Sequence, residues 1–360
     1  MNTHHLITIK NNFVTELQRA NKGQKTSLPF IRHEPASQSL VKDGELFQVL
    51  VVGGSISKKA LVKKQGKDLR ILEVSQKNQS PFKSKEAFLS FIEQGLSDSV
   101  TTLSLNLAYP LRPVFNNSKL EGILLSGTKE NTFNGLIDKN MCKEIEKHIL
   151  TKKKRKIQVT AANDTVCLLL SGLTQLPYNQ LACGIVGTGV NFAFFLDRYV
   201  LVNLEAANFD KFPQTEEGKE IDKNSSLPKR ALFEKETSGA YLYKHFNLQL
   251  HKKHLPIISI DDTKELTILA QETHSLYSQI SRQILYSSSE LVATQIAGIS
   301  EFLNRDLTFV MEGSLFWEGF EYKTHLEQTL SKIHNDKQIS FKHIHNSYIV
   351  GAAQLACPQI

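Results

Sequence analysis

Two short glycine turns, VVGGS at 51–55 and VGTGV at 186–190, interrupt apolar runs at equivalent places in two halves of the chain. In the first half, runs rich in Val and Ile follow one another as FQVLVVGG, KKALVKK and LRILEVS. A 3.6-residue periodicity then appears in KEAFLSFIEQGL (85–96). A strand pattern at TLSLNLAYP (102–110), a helix pattern at LIDKNMCKEIEKHIL and a strand at KIQVTAA come next, before the helix opened by NDTVCLLL. The order returns. CGIVGTGVNFAFFL (183–196) reads as two strands around a turn and YVLVNLEAA (199–207) as a third. Helical patterns at 229–246 and 287–303 then precede the strands DLTFVMEGS and ISFKHI, which YKTHLEQTLSKIH separates. Two βββαβα halves, each with helices covering a mixed sheet, predict a duplicated α/β architecture with a central cleft.

Length and composition are compatible with that. A chain of 360 residues, 41% apolar and 22% charged, is large enough for two cores and ordinary for a globular protein. Its four cysteines, Cys142, Cys167, Cys183 and Cys357, show no paired spacing, so neither a zinc site nor a disulfide framework is expected and a reducing compartment fits best. The opening MNTHHLITIKNN lacks a signal-peptide core, and no apolar run approaches bilayer length, so the reading is cytoplasmic with no membrane partner. A net charge of +7 and the basic run Lys152–Lys156 invite an anionic partner. That run lies between a helix and a strand, where a helix C-terminus favours cations, and no aromatic residues interleave it for base stacking. No nucleic-acid partner is expected. Residues 1–25 read as a polar arm, 26–155 as a smaller domain to which a C-terminal helix at 350–360 belongs, and 156–349 as a larger domain.

Glycine turns let backbone N–H groups converge on an anion such as a phosphate. Between two halves facing one cleft, a pair of them would suit a nucleotide. The stretch VTAANDTVCLLL, residues 159–170, breaks an apolar strand with Asn163, Asp164 and Thr165. Asn and Asp at such a break serve as helix N-caps, yet a carboxylate there is also placed at the strand end, where pockets form.

The ordered motifs resemble the hexokinase and glucokinase family of the actin-like ATPase superfamily, from about residue 26 to the end. SLPFIRHEPAS resembles the family's entry segment, VVGGS its first phosphate loop, LAYPLRP its Phe-Pro segment, SGTKENTFNG its Thr-Lys loop and AANDTV its catalytic Asn-Asp-Thr-Val stretch. IVGTGVN is similar to the second phosphate loop, VNLEAANF to the segment with a sugar-binding Glu and LFEKETSGAYL to the helix with a second Glu. VMEGS resembles the adenosine-side strand and VGAAQLA the last helix. The resemblance implies a two-domain actin-like, ribonuclease H-like fold that closes on its sugar. It further implies that glucose or another hexose is held by Thr128, Lys129, Asn163, Asp164, Asn191, Glu205 and Glu234. Asp164 is then the general base toward the 6-hydroxyl, with Lys129 beside it in the catalytic set. Gly53, Gly54, Ser55, Lys58, Gly187, Thr188, Gly189, Gly313 and Gly351 are the implied nucleotide contacts, ATP the donor and Mg²⁺ the cofactor, with Asp164 its carboxylate. The chain is expected to be a monomer or a weak homo-oligomer, with the hexose and ATP as its partners.

Several positions depart from the pattern. The family's first phosphate loop carries an Asp linked to magnesium through water, where this chain has Val51; Ile56 and Lys58 replace an Asn and an Arg. Ser347–Val350 replaces a glycine-rich turn, Ala240 a phosphate-side Lys and Ala108 a Ser. The sugar half of the implied site is intact and the donor half is eroded, which keeps a second reading in view: a hexose sensor or pseudokinase without efficient transfer.

Overall fold

A computed structural model of the protein describes residues 1–36, 38–116, 119–127, 130–256, 258–334 and 336–358. The chain runs through helix α1 (Thr3–Asn21) and strands β1 (Ile31–His33), β2 (Leu46–Val52), β3 (Ile56–Gln65) and β4 (Asp68–Asn78) to helix α2 (Lys85–Gly95). Strand β5 (Thr102–Leu107), the hairpin β6 (Leu111–Asn116) and β7 (Lys119–Leu124), helix α3 (Met141–Lys153), β8 (Gln158–Asn163) and α4 (Asp164–Gly172) complete the first half. The second half opens with β9 (Leu181–Val186), β10 (Val190–Phe195) and β11 (Leu201–Asn203), followed by α5 (Glu216–Lys223), α6 (Leu232–Thr237), α7 (Gly239–Lys252), α8 (Thr263–Gln271) and α9 (Leu276–Leu303). It closes with β12 (Leu307–Glu312), α10 (Ser314–Glu318), α11 (Tyr322–Ile333), β13 (Ile339–Lys342) and α12 (Ser347–Ala356). Each half thus runs three strands, helix, strand, helix, strand and helix, one strand and one helix beyond the βββαβα expected, with a hairpin added to the first half and several helices to the second. No helix among the described residues is long and apolar enough to cross a membrane.

Two compact units share the chain: Met1–Phe30 with Ala182–Phe192 and Leu204–Lys342, and Ile31–Leu181 with Ala193–Asn203 and His343–Ile360. In the second of these the strand order is β4-β3-β2-β5-β8, with β2, β5 and β8 parallel and the β2–β3–β4 meander antiparallel. Parallel strands covered on both faces read as continuous buried runs, and every residue of β5 is buried. Its two interior polar side chains are matched from α12: the Ser104 hydroxyl donates to the Ala352 carbonyl and the Asn106 amide to the Tyr348 carbonyl. Helix α12 packs on α4 so closely that a Cβ on Gly351 would lie 1.6 Å from the Cys167 carbonyl oxygen. The basic run ends α3: Lys152 and Lys153 occupy its last turn, Lys154 (φ 54°) is its left-handed cap, and Arg155 donates to Asp98 Oδ1 and to the Val100 carbonyl.

The unit containing the N-terminus is built on α9, a 28-residue helix whose positions Leu291–Ser300 are all buried. A helix apolar on every side belongs in a core. Here the expectation of a polar arm over residues 1–25 fails. Asn2 caps α1 by accepting the His5 N–H, and Leu6, Ile9, Phe13 and Leu17 form one buried stripe. Phe13 sits against Gly298 of α9, where a Cβ would come within 2.7 Å of its ring, and meets Phe209 edge-on at 5.1 Å. Asn, Lys and His dilute the stripe in the sequence to a weak amphipathic turn around Phe13 to Leu17, but helical spacing gathers four apolar side chains on one face.

Truncating a fully buried Phe costs about 3–5 kcal/mol. Phe13→Ala is therefore expected to lower stability by about 3 kcal/mol in a denaturant titration; a change below about 0.5 kcal/mol would mean that α1 is a dispensable arm.

Candidate active site

In the unit containing the N-terminus the site grows from the turn between β9 and β10. The Gly187 N–H donates to the Gly189 carbonyl at 3.0 Å, which closes the turn. The Gly187 and Thr188 carbonyls then accept the N–H groups of Gly239 (2.7 Å) and Ala240 (3.2 Å), the first residues of α7. Free N–H groups at a helix start need acceptors, and the turn supplies them. Gly313, just beyond β12, has φ 111°, and a Cβ there would stand 2.2 Å from the Val186 carbonyl oxygen; one on Gly187 would stand 3.1 Å from Gly313 Cα. Only glycine allows three backbone segments to approach this closely. Thr188 is exposed at the tip.

Three side chains that the family resemblance implied for a sugar lie on and around this turn. Asn191, at the start of β10, accepts the N–H groups of Phe192 (2.8 Å) and Ala206 (3.1 Å) on Oδ1. That orients its amide, since one carbonyl oxygen is engaged twice. Glu205 has φ 51° and ψ 50°, a left-handed conformation that costs a non-glycine residue on the order of 1 kcal/mol. The Ala206 N–H on Asn191 and the Asn208 amide on the Glu205 carbonyl (3.1 Å) hold the strained corner. Glu234, from α6, lies over Gly189: its Oε2 accepts the Val190 N–H at 3.3 Å and would be 2.9 Å from a Cβ on Gly189. Burial pushes its carboxyl above the ordinary value, the Val190 N–H opposes this, and the charge of Glu205 adds to it. Two carboxylates are thus held within electrostatic reach of each other beside a glycine turn.

The neighbouring Lys235 points the other way. It is 2% exposed, and Nζ donates to Asp222 Oδ1 (2.6 Å), the Leu227 carbonyl (2.8 Å) and Ser225 Oγ (3.0 Å). All three ammonium protons are used. Its burial has no signal in the neighbouring sequence, because Asp222 and Leu227 lie 13 and 8 residues before it.

In the other unit Asn163 caps α4 by accepting the Val166 N–H at 3.0 Å, and Asp164 begins the helix with Oδ1 accepting the Thr165 N–H at 2.8 Å. Asn163 is buried and Asp164 half-buried. A helix N-terminus favours negative charge. The β2–β3 turn is closed by the Gly53 N–H on the Ile56 carbonyl at 2.9 Å, leaving Gly54 and Ser55 exposed. Its carbonyls are clamped by residues the sequence did not point to: Tyr109 Oη (3.0 Å) and Gln79 Nε2 (2.8 Å) on Gly53, and Asn131 Nδ2 (3.1 Å) on Gly54. Asn131 belongs to the implied Thr-Lys loop segment; Thr128 and Lys129 themselves lie outside the described residues. Val51 pairs with Lys58 on β3 and Asn106 on β5. Gly351 serves the contact with α4 described above.

The strand order and these turns are those of an actin-like two-domain fold. A hexokinase from Schistosoma mansoni complexed with glucose superposes with a TM-score of 0.79 at 18% identity, over 99% of this chain and 95% of that one. A glucokinase of the ROK family from Streptomyces griseus, in complex with glucose and AMPPNP, gives 0.58 at 13% identity over 87% of this chain and 99% of that one. The family model described as hexokinase matches residues 182–254 and 251–357. Hexokinase-1 of Nicotiana tabacum is 24% identical over 68% of this chain and 62% of its own length, and Hexokinase-7 of Oryza sativa 24% over 86% and 84%. The chain therefore spans less than two thirds of the tobacco protein. Over these stretches the chain is similar to hexokinases.

A raised carboxyl pKa means that the folded state favours the proton. The stability it gives is present in acid and lost as pH rises through the folded pKa. Glu234→Gln is accordingly expected to raise the melting temperature at pH 7 by about 1–3 °C, with the difference from wild type vanishing toward pH 4. A melting temperature lowered equally at both pH values would refute the buried-charge account of Glu234.

Proposed function

We propose that the chain is a hexose kinase that transfers the γ-phosphoryl group of ATP to the 6-hydroxyl of glucose or a related hexose, giving the 6-phosphate that enters glycolysis. The observation that carries this reading is the convergence of Asn191, Glu205 and Glu234 beside the Gly187–Gly189 turn. Sugar hydroxyls donate and accept at once, so an oriented amide and two carboxylates suit them, and a hydroxyl missing from the ligand leaves a site group unpaired. A relative bound to glucose and another bound to glucose and AMPPNP support the same pair of ligands.

In this reading Asp164 accepts the 6-hydroxyl proton as the oxygen bonds to the γ-phosphorus and the bond to the ADP oxygen breaks. Thr165 steadies its carboxylate. Thr128 and Lys129 are proposed as further hexose contacts, with Lys129 supporting the transfer. Ser55, Lys58, Thr188 and the backbone at Gly53, Gly54, Gly187, Gly189, Gly313 and Gly351 make up the phosphate and nucleotide side.

No group of three or more His, Cys, Asp or Glu among the described residues could hold a metal ion. That donor set fits Mg²⁺ carried in by the nucleotide, because Mg²⁺ keeps several waters and takes one or two carboxylates plus phosphate oxygens. Asp164 is the carboxylate this chain would offer it. Mg²⁺ neutralises charge on the phosphates when bound. The sensor reading is not favoured, since the matching family model and the curated relatives are hexokinases and Asp164 is retained.

A coupled assay for glucose 6-phosphate with ATP and Mg²⁺ tests the proposal. Wild type is expected to turn over, and Asp164→Asn to lower kcat by about 10²–10⁴ while hexose affinity stays within about tenfold. Near-normal turnover in the variant would remove Asp164 from the base role, and an inactive wild type would overturn the proposal itself.

A further inference from the structure

The first glycine turn, between β2 and β3, is held by its carbonyls. Tyr109 Oη and Gln79 Nε2 both donate to the Gly53 carbonyl, at 3.0 and 2.8 Å, and Asn131 Nδ2 donates to the Gly54 carbonyl at 3.1 Å. Tyr109 and Asn131 are 2% and 1% exposed, so both carbonyls are drawn toward the interior. A trans peptide is planar, with the N–H of each residue pointing away from the carbonyl before it, and no peptide bond among the described residues is cis. The N–H groups of Gly54 and Ser55 are thereby turned the other way. Both residues are exposed, and neither N–H meets an acceptor among the described residues.

A Gly-Gly peptide has no Cβ to resist rotation, since glycine takes positive and negative φ with similar ease. Unpinned, the Gly53–Gly54 unit is free to turn a carbonyl outward in place of its N–H. A carbonyl oxygen repels an anion where an N–H binds it. The holding groups are themselves fixed. Gln79 Oε1 is buried with no partner among the described residues, so Nε2 on Gly53 is the side chain's bond, while the Gln79 N–H takes the Ser55 carbonyl at 2.9 Å. Asn131 Oδ1 accepts the Phe82 N–H at 2.9 Å, which sets the way its amide faces. Burial pushes the Tyr109 hydroxyl up to about 12, so it remains a donor at neutral pH. In the other unit the Gly187 and Thr188 carbonyls are claimed in the same manner by the Gly239 and Ala240 N–H groups. Both turns thus commit consecutive carbonyls to the protein.

We infer that Tyr109, Gln79 and Asn131 are positioning residues for the phosphoryl donor: they hold the Gly53 and Gly54 carbonyls inward so that the Gly54 and Ser55 N–H groups receive a phosphate oxygen. The identity of the anion rests on the kinase reading; the orientation of the turn does not. A purely structural duty would weaken both ligands and the fold together, whereas this role weakens the donor alone.

Titration calorimetry of the full chain with AMPPNP and Mg²⁺, and separately with glucose, tests it. Tyr109→Phe keeps the ring edge-on to Phe133 at 4.8 Å and removes the hydroxyl; adding Gln79→Met frees the Gly53 carbonyl of both side chains. AMPPNP affinity is expected to fall about threefold in the single variant and about tenfold in the double, with glucose affinity within about twofold. In the coupled assay KM for ATP should rise while KM for glucose holds. If a thermal melt shows that the double variant does not fold, Tyr109→Phe carries the test. Unchanged AMPPNP affinity in folded variants, a parallel loss of glucose affinity, or no AMPPNP binding by wild type would overturn the assignment. The expected losses of AMPPNP affinity in a protein that never turns over would uphold it and overturn the kinase reading instead.

Discussion

The candidate site rests on one close approach of backbones. Where Val186, Gly187 and Gly313 meet, there is no room for a Cβ, and the Gly187 carbonyl accepts the first N–H of α7 at 2.7 Å. That contact ties the β9–β10 turn to the α6–α7 junction. Glu234, four residues before the Ser238 N–H that its own carbonyl accepts, is thereby delivered onto Gly189. A side chain at Gly187 or Gly313 would push the turn from the helix, and the carboxylate would lose its Val190 partner. Packing this tight has little give, so position is transmitted rather than absorbed.

Function at the site is held against local preference. Glu205 keeps a left-handed backbone, and Glu234 keeps a carboxylate where burial and a like charge oppose it. Strain and disfavoured charge gather where a ligand supplies the missing partners, and the surrounding structure must hold them until then. Here the holding groups are visible: Asn191 and Asn208 around Glu205, the Val190 N–H under Glu234, and the Lys235 ammonium anchoring the chain between α5 and α6. Hexose hydroxyls would share the burden of the two carboxylates in the proposed complex.

Periodicity and glycine spacing made the strand order, the two turns and the Asn163 cap readable from the sequence, because each depends on neighbours within a few residues. What stayed hidden depends on distant partners. The serines at 287–289 looked like a helix start, yet α9 begins at Leu276 behind the Ser275 cap, and Ser288 is buried because its hydroxyl meets the Thr237 carbonyl and Tyr322 Oη. The burial of Lys235 is likewise hidden, because nothing local shows that Asp222, Ser225 and Leu227 return to enclose it. The clamp of Tyr109, Gln79 and Asn131 on the first glycine turn comes from three separate segments. The positive φ of Glu205 has no signal in residue type at all, since glutamate does not favour that region.

The central claim is that the two carboxylates and the oriented amide around Gly187–Gly189 form a hexose site, and glucose affinity tests it without reference to any phosphoryl donor. Calorimetric titration of glucose into wild type and Glu205→Gln, at equal ionic strength and without nucleotide, compares a charged acceptor with its neutral isostere. Hydrogen bonds to charged groups contribute about 1.5–3 kcal/mol, so the account predicts saturable binding by wild type and a loss of about tenfold or more in the variant. Affinity unchanged within about twofold, in a variant that melts like wild type, would contradict it.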